Sequence, residues 1–192
     1  MKVYNMKILL MSDTHGELKT ARSILQEHAA ADLKIHLGDV GFPLREIDEC
    51  TIVKGNHDRT QRLPKKVKLT LEGRKAICLH GDIFDDETVQ EVLAMHHVPN
   101  DEIMGLCMRT LYGKLAAYAK RKGCDTLFFG HTHHQCFTEV DGVVLINPGS
   151  VCYGTPHSGY AVVEIHGCLL LKIVKLLLSV SPRQYPCATL SL

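Results

Sequence analysis

Short apolar runs alternate with longer segments of helical spacing in the first part of the chain. Residues 7–12, 33–37 and 51–53 are mostly apolar and bounded by polar residues, which is typical of buried strands. Between the first two runs, residues 17–31 place apolar side chains three or four positions apart, which predicts a helix. Strands that alternate with helices favour an α/β fold with parallel strand pairs.

The pattern changes after residue 66. Residues 67–71 and 75–79 flank a Glu-Gly-Arg turn and are predicted to form a hairpin. Residues 85–122 have a helical period, with Pro99 separating two helices and Gly123 ending the second. The remaining apolar segments predict one strand and two hairpins, at residues 126–129, 135–146 and 160–178.

These elements predict an α/β chain with mixed sheets and helices on both faces. A length of 192 residues favours a single domain. We expect that domain to cover residues 1–180, with a helical insertion at residues 85–122. Residues 181–192 contain two prolines and are predicted to form a flexible tail.

Composition and charge exclude several functional classes. The chain has 22 Lys and Arg against 21 Asp and Glu, a formal charge of +1, so it has no general attraction to nucleic acid or to an anionic membrane. Its most apolar stretch, residues 168–180, contains two lysines and is too short to cross a membrane, and no signal peptide is evident. The eight cysteines include no CxxC pair, so we expect reduced thiols and a cytoplasmic protein.

Five of the predicted strands are followed by His, Asp or Asn. In an open α/β sheet, ligands bind beyond the carboxyl ends of the strands, so these side chains can converge on one pocket. Their oxygen and nitrogen atoms are donors that divalent first-row metals accept. The groups are Asp13-Thr14-His15, Gly38-Asp39, Gly55-Asn56-His57-Asp58, His80-Gly81-Asp82 and Gly130-His131-Thr132-His133.

As an ordered set, these motifs resemble the calcineurin-like metallophosphoesterase superfamily. The short chain and the Asn-Pro-Gly-Ser sequence at residues 147–150 resemble its small, YfcE-type phosphodiesterase branch. The resemblance covers residues 7–165. It implies a four-layer α/β/β/α sandwich of two mixed sheets that holds two divalent metal ions.

The resemblance also implies a role for each ligand. Manganese is the expected metal, with iron, zinc or nickel as alternatives, since the set contains no thiolate. Two neighbouring cations lower the pKa of a shared water and stabilise the attacking and leaving oxygens of a displacement. The first metal would be held by Asp13, His15 and His133, the second by Asn56, His80 and His131, and Asp39 would bridge them.

By the same resemblance His57, oriented by Asp58, would stabilise the transition state or protonate the leaving oxygen. An imidazole suits this work because its ordinary pKa is about 6.5. The chain departs from the small branch at three places. Many members have Cys in place of His57, the branch usually has His where Asp82 stands, and residues 85–122 are longer than in the smallest members. We interpret that segment as a cap or as an interface helix pair.

The function expected from these residues is phosphate-ester hydrolysis that depends on two metals. A phosphodiesterase is favoured, with direct attack on phosphorus by a hydroxide that bridges the metals. A phosphomonoesterase or a protein phosphatase is the nearest alternative, and a catalytically silent scaffold similar to Vps29 is another. We expect a small phosphate-ester substrate, no membrane partner and no general nucleic-acid binding, and leave a homo-oligomer open.

Overall fold

Ten strands and three α-helices follow one another in the part of the chain that the structure describes. The computed structural model describes residues 5–95, 99, 101–154, 157–166 and 170–178. The elements are β1 (Asn5–Met11), α1 (Leu18–Glu27), β2 (Leu33–His36), β3 (Thr51–Ile52), β4 (Lys66–Leu71), β5 (Arg74–Leu79), α2 (Asp85–Leu93), α3 (Ile103–Arg121), β6 (Thr126–Phe128), β7 (Cys136–Val140), β8 (Val143–Asn147), β9 (Gly159–His166) and β10 (Leu170–Leu178).

The strands form two five-stranded mixed sheets. The first sheet has the order β10-β9-β1-β2-β3, with β1 parallel to β2 and antiparallel to β9. The second has the order β4-β5-β6-β8-β7, with β5, β6 and β8 parallel to one another. The predicted hairpins are confirmed as β4 with β5, β7 with β8, and β9 with β10.

Alternating side chains of β1 explain why the two sheets stack. Ile8 and Leu10 point into the core between the sheets, where they join residues of the second sheet such as Phe128. Leu9 and Met11 point to the other face and pack in the core that includes α1. All four β1 side chains are fully buried, so this strand is apolar on both faces, as expected for a central strand.

Helix α3 covers the outer face of the second sheet and completes the predicted α/β/β/α sandwich. Its buried side chains Leu111 and Leu115 share a core with Leu127 of β6. The helix ends where predicted, because Gly123 adopts a φ of +70° and its N–H donates to the carbonyl of Lys120. The second half of the 85–122 segment therefore forms an outer helical layer on the second sheet, and its interpretation as a cap or as an interface helix pair stays a prediction.

Other sequence predictions concern the thiols, the membrane and the tail. Within the described residues six cysteines are unpaired, and three of them, Cys78, Cys124 and Cys136, are buried. None of the described helices combines the length and hydropathy required to span a bilayer. The tail predicted at residues 181–192 lies outside the described residues.

Candidate metal centre

The loops that follow β1, β2, β5 and β6 meet at one edge of the two sheets. The N–H of Asp13 donates to the carbonyl of Gly38 at 3.0 Å, and the N–H of His15 donates to the carbonyl of Asp39 at 3.0 Å. On the second sheet, the N–H of Gly130 donates to the carbonyl of His80 at 2.8 Å. Backbone hydrogen bonds thus hold together the motifs that the sequence separates widely.

Five predicted metal ligands adopt a left-handed backbone conformation, which is uncommon for residues other than glycine. Such conformations cost about 1–3 kcal/mol and cluster at functional sites, where the surrounding structure holds them in place. Their concentration here indicates that the fold maintains strained backbone conformations because they direct these side chains to the centre. The residues are Asp13 (φ 53°), His15 (φ 43°), Asp39 (φ 57°), His131 (φ 67°) and His133 (φ 56°).

Two motif glycines let the loops approach the acidic residues. A Cβ atom on Gly55 would overlap the side-chain Oδ1 and the backbone nitrogen of Asp39. A Cβ atom on Gly130 would overlap Ser12 and lie 2.8 Å from Oδ2 of Asp13. The glycines before Asn56 and His131 are therefore required by close packing against the two aspartates.

Asp13, His15 and His133 form the first ligand cluster. Oδ1 of Asp13 lies 3.3 Å from Nε2 of His133 and 3.9 Å from Nε2 of His15. This oxygen is fully buried and has no hydrogen-bond partner of good geometry within the described residues. Burial alone would raise the pKa of Asp13, but the contact with His133 and the charge of His80 lower it.

Asp13, Asp39 and His80 form the second cluster and share Asp13 with the first. Nε2 of His80 lies 3.4 Å from Oδ2 of Asp39, 3.9 Å from Oδ1 of Asp13 and 2.9 Å from Oδ1 of Asn56. The opposite nitrogen, Nδ1, donates to the carbonyl of Leu37 at 2.7 Å. This bond fixes the ring so that Nε2 faces the centre.

Asp39 and His80 favour each other's charged form. Burial disfavours the charge on Asp39, but the hydrogen bond and charge of His80 outweigh it and lower the pKa of Asp39 to about 2. Burial likewise opposes the charge on His80, yet the contact with Asp39 and the charge of Asp13 raise the pKa of His80 to about 9. A metal ion at this position would therefore replace a proton on His80.

Asp39 occupies the position expected of a bridging residue. Its Oδ2 lies 3.4 Å from Nε2 of His80 and 4.0 Å from Nε2 of His15, one residue of each predicted ligand group. Its Oδ1 accepts the backbone N–H of His57 at 2.8 Å. Both carboxylate oxygens are thereby directed, and the side chain is almost fully buried.

His131 borders the centre through its backbone and its ring, although its ring nitrogens belong to neither of the two ligand clusters. Its N–H donates to Oδ2 of Asp13 at 3.0 Å, and its ring lies 5.0 Å from the ring of His80 between centroids. Nε2 of His131 contacts the carboxylate of Asp85, the first residue of α2. Asp85 was not predicted from the sequence, although an acid five residues after His80 was an available signal.

The predicted catalytic pair, His57 and Asp58, is separated in its contacts. The ring of His57 is 66% exposed and lies 3.9 Å from Oδ2 of Asp39. The carboxylate of buried Asp58 accepts backbone N–H groups of Asp39 at 2.8 Å, Val40 at 3.0 Å and Gly55 at 3.0 Å. Within the described residues it makes no contact with the His57 ring, so its direct effect is on the Asp39 and Asn56 loops.

A buried histidine that the sequence analysis did not assign, His36, connects two of the ligand loops. Burial lowers the pKa of His36 to about 4 and keeps it neutral. Its Nδ1 accepts the N–H of Gly38 at 3.2 Å, so Nε2–H donates to the hydroxyl of Thr14 at 3.0 Å. That hydroxyl donates to the carbonyl of Val40 at 2.8 Å. A histidine two residues before Gly38, at the end of an apolar strand, was the available signal.

The Asn-Pro-Gly-Ser loop at residues 147–150 braces the centre from the side. The amide of Asn147 donates to the carbonyl of Gly130 at 2.8 Å and to the hydroxyl of Thr132 at 3.0 Å. The hydroxyl of Ser150 donates to the carbonyl of Asp13 at 2.8 Å. The loop thus fixes the backbone at ligands on both sheets.

Tyr153 stands at the border of the first cluster. Its backbone N–H donates to the hydroxyl of Ser150 at 2.8 Å, which fixes the loop. Its ring is stacked on His133 at 6.3 Å and lies 5.7 Å from the ring of His15. The residue is 64% exposed, so an aromatic face is available to solvent beside the ligands.

The side chains of the centre fit a pair of divalent cations. The donors are carboxylate oxygens, imidazole nitrogens and an amide oxygen, all of which manganese, iron and zinc accept. The fully buried Oδ1 of Asp13, surrounded by histidine nitrogens and lacking a hydrogen-bond donor, is an anionic atom that a cation would satisfy.

Comparison with known sequences supports this interpretation. The profile of the calcineurin-like phosphoesterase superfamily domain matches residues 6–167. A probable metallophosphoesterase of Mycoplasma pneumoniae is 29% identical over 148 residues, which are 76% of this chain and 79% of the relative. Phosphodiesterase MJ0936 of Methanocaldococcus jannaschii is 28% identical over 156 residues, 77% of this chain and 85% of the relative.

Solved structures share the fold at lower identity. A predicted phosphoesterase from Streptococcus pneumoniae gives a TM-score of 0.64 at 22% identity over 88% of this chain and 97% of its own. Vacuolar protein sorting 29 from Cryptosporidium parvum gives 0.59 at 19% identity over 85% and 87%. YfcE, a phosphoesterase from E. coli, gives 0.52 at 19% identity over 88% and 97%. The profile match and the fold together establish that this chain belongs to the calcineurin-like phosphoesterase superfamily, a family of hydrolases.

Proposed function

We propose that the chain is a phosphodiesterase that uses two divalent metal ions. The observation that carries the proposal is the arrangement around Asp13 and Asp39, whose carboxylates are buried among the Nε2 atoms of His15, His80 and His133. The proposed ligands are Asp13, His15 and His133 for the first ion, Asn56, His80 and His131 for the second, and Asp39 for both. When bound, two cations would activate water for attack and neutralise charge on the phosphate.

The protein's own side chains divide the remaining work. Asp58 and His36 hold the loops that carry Asp39 and Asp13, so the ligands need little reorganisation on binding. The exposed ring of His57, 3.9 Å from Oδ2 of Asp39, is placed to contact a phosphate oxygen or to donate a proton to the leaving oxygen. Asp58 is assigned a positioning role in this proposal, since its carboxylate binds backbone.

Two observations support a preference for diesters over monoesters. A relative with comparable coverage is named a phosphodiesterase. The solvent-exposed ring of Tyr153 beside His15 and His133 offers a surface for the second ester group of a diester. Phosphomonoesterase and protein phosphatase activity remain the nearest rivals. A small phosphate ester remains the predicted substrate. The cytoplasm remains the predicted compartment, and the unpaired cysteines of the described residues are in keeping with it.

A scaffold function is the second candidate, because the fold is similar to that of Vps29. A scaffold can bind a metal, as Vps29 from Entamoeba histolytica does in its complex with Zn²⁺, but it has no need of every ligand position. This chain has all seven proposed ligands together with His57, and this complete set favours the enzyme.

The test is hydrolysis of bis-p-nitrophenyl phosphate by metal-stripped protein, with and without Mn²⁺. We expect turnover that depends on Mn²⁺ and is abolished in Asp39→Asn, while Asp48→Asn, a matched change at an exposed aspartate on the same connection, stays active. Faster hydrolysis of p-nitrophenyl phosphate than of the diester would favour a monoesterase. A protein that retains no transition metal and hydrolyses neither compound would favour the scaffold.

A further inference from the structure

The second metal position has a neighbour that the family motifs do not include. Nε2 of His131 is in contact with Oδ2 of Asp85. Asp85 is only partly exposed, at 40% of its side chain, whereas the adjacent Asp86 is exposed. The first turn of α2 therefore directs one carboxylate at the centre and the next one at solvent.

A short turn places Asp85 at this position. Gly81 follows His80 with a φ of +118°, a conformation that L side chains rarely adopt. The chain then makes a 3-10 turn over Asp82–Phe84 and enters α2 at Asp85. Only four residues thus separate His80, a proposed ligand, from Asp85, the partner of the neighbouring ligand His131.

Contacts between α2 and α3 hold the position of the helix that carries Asp85. Val92 of α2 is buried, and Lys114 of α3 binds Glu87 at 2.8 Å and Glu91 at 2.6 Å. The Asp85 carboxylate is consequently attached to an element that packs on the outer layer of the fold, so its approach to His131 is part of the tertiary structure.

Hydrogen bonds at the opposite nitrogen determine which atom of a histidine can bind a metal. His80 is fixed by the bond from Nδ1 to Leu37, which leaves Nε2 at the centre. In His131 the two nitrogens are exchanged, because Nε2–H donates to the carboxylate of Asp85. Nδ1 is then the nitrogen without a hydrogen bond among the described residues. A carboxylate partner also makes the imidazole more basic and therefore a stronger ligand.

We propose that Asp85 is a positioning residue for the second metal ion: its carboxylate holds the proton of His131 on Nε2 and presents Nδ1 as the metal ligand. The inference rests on the proposed metal centre and extends it to a residue of α2. It also gives a function to the start of the 85–122 segment, because Asp85 connects this segment to the metal centre through His131.

The first experiment measures metal affinity in the full chain. Stripped protein is titrated with Zn²⁺ against a chromophoric chelator, for wild type, Asp85→Asn and the matched control Asp86→Asn. We expect the second equivalent of Zn²⁺ to bind about 10–100-fold more weakly in Asp85→Asn, with the first equivalent unchanged. Asp86→Asn removes the same charge from the same helix turn and is therefore a matched control. Because Asp86 is exposed to solvent, this variant should bind both ions as wild type does.

Two outcomes of that titration overturn the proposal. In one, Asp85→Asn binds both ions with wild-type affinity. In the other, Asp85→Asn and Asp86→Asn weaken binding equally, which would indicate a general charge effect of the helix terminus.

The second experiment needs no variant and so does not depend on a mutant that folds. NMR spectra of Zn²⁺-loaded wild-type protein with ¹⁵N-labelled histidine should show the proton of His131 on Nε2. A metal-bound Nε2 would overturn the proposal. Two bound Zn²⁺ ions with this tautomer but no phosphoester hydrolysis would reject only the proposed function, whereas binding of fewer than two ions would reject the metal centre and this inference with it.

Discussion

Oδ2 of Asp39 lies 3.4 Å from Nε2 of His80 at the junction of the two sheets. The two side chains lie in the loops that follow strands of different sheets, β2 and β5, and both are almost completely buried. Each compensates the buried charge of the other in the metal-free protein. The same pair that we propose as metal ligands thereby contributes to the stability of the fold before any ion binds.

This pair predicts a specific pH dependence of stability. The pKa of His80 rises from 6.5 to about 9, so its contribution is complete below pH 6.5 and is lost as the pH rises through 9. The pKa of Asp39 falls from 3.8 to about 2, so its contribution is complete above pH 3.8 and is lost as the pH falls through 2. With a chelator present, the stabilising effect of the pair should therefore be largest between pH 3.8 and pH 6.5.

Urea unfolding of wild type and His80→Gln across this range measures the effect. The difference in the free energy of unfolding should decrease by about 3 kcal/mol between pH 6.5 and pH 9. The exposed His134 provides a control, since His134→Gln should show no such decrease. A difference between wild type and His80→Gln that stays constant from pH 5 to pH 9 would contradict the pairing.

Asp58 supplies the second prediction, through its hydrogen bonds to backbone. Oδ2 accepts N–H groups from both Asp39 and Gly55, and Oδ1 accepts that of Val40. In Asp58→Asn either orientation of the amide sets its NH₂ group against a backbone N–H. We expect the free energy of unfolding to fall by about 2–4 kcal/mol, with weaker metal binding as a consequence.

Chemical denaturation of the stripped protein measures this loss, with Asp48→Asn as a matched variant at an exposed aspartate. The alternative role of Asp58, orientation of His57, predicts a different result. Stability and metal affinity would then remain at the wild-type level, and only turnover would fall.

The elements were predictable from the sequence because each depends on local periodicity. The strand predicted at residues 7–12 is observed at Asn5–Met11, and the predicted end of α3 at Gly123 is observed with the expected positive φ. Which strands are neighbours was not predictable from periodicity. β1 lies between β2 and β9, and the contact with β9 joins residues about 150 positions apart, so this pairing is a property of the whole core.

The motif residues were visible for a similar reason, since His, Asp and Asn after apolar runs are a local signal. Their partners were less visible. Asp85 begins a helix, where an acid is common without any function because it complements the helix dipole. The partners of Asp58 could not be predicted from the sequence, because they depend on which backbone N–H groups the folded loops leave without a hydrogen bond. In the structure its carboxylate binds three such N–H groups and not the His57 ring.

His57 supplies the third prediction, which separates two possible roles of its exposed ring. His57→Gln should leave stability and metal binding unchanged, because the side chain is 66% exposed, and should lower kcat by about 10²–10⁴-fold. The size of the loss depends on the role. A proton donor matters most for a diester with an alkyl leaving group and little for p-nitrophenolate, which leaves without a proton, whereas a contact to the phosphate matters equally for both.

Steady-state kinetics with an aryl and an alkyl diester distinguish these roles, with His134→Gln as the matched variant at another exposed histidine. Wild-type kcat in His57→Gln with both compounds would exclude a direct part in catalysis.

Tyr153 supplies the last prediction, about the substrate rather than the metals. Its ring lies against His15 and His133, yet 64% of the residue is exposed, so removing it should have little effect on the core. An aromatic pair is worth about 0.5–1.5 kcal/mol, which corresponds to about a 2–12-fold change in binding. Tyr153→Ala should therefore raise KM for bis-p-nitrophenyl phosphate by this factor and leave kcat near wild type.

Tyr153→Phe should retain the wild-type KM, because the aromatic face is kept and only the hydroxyl is lost. If Tyr153→Phe is as impaired as Tyr153→Ala, the hydroxyl is the contacting group, and a polar contact to the phosphate replaces stacking on the second ester group as the role of this residue.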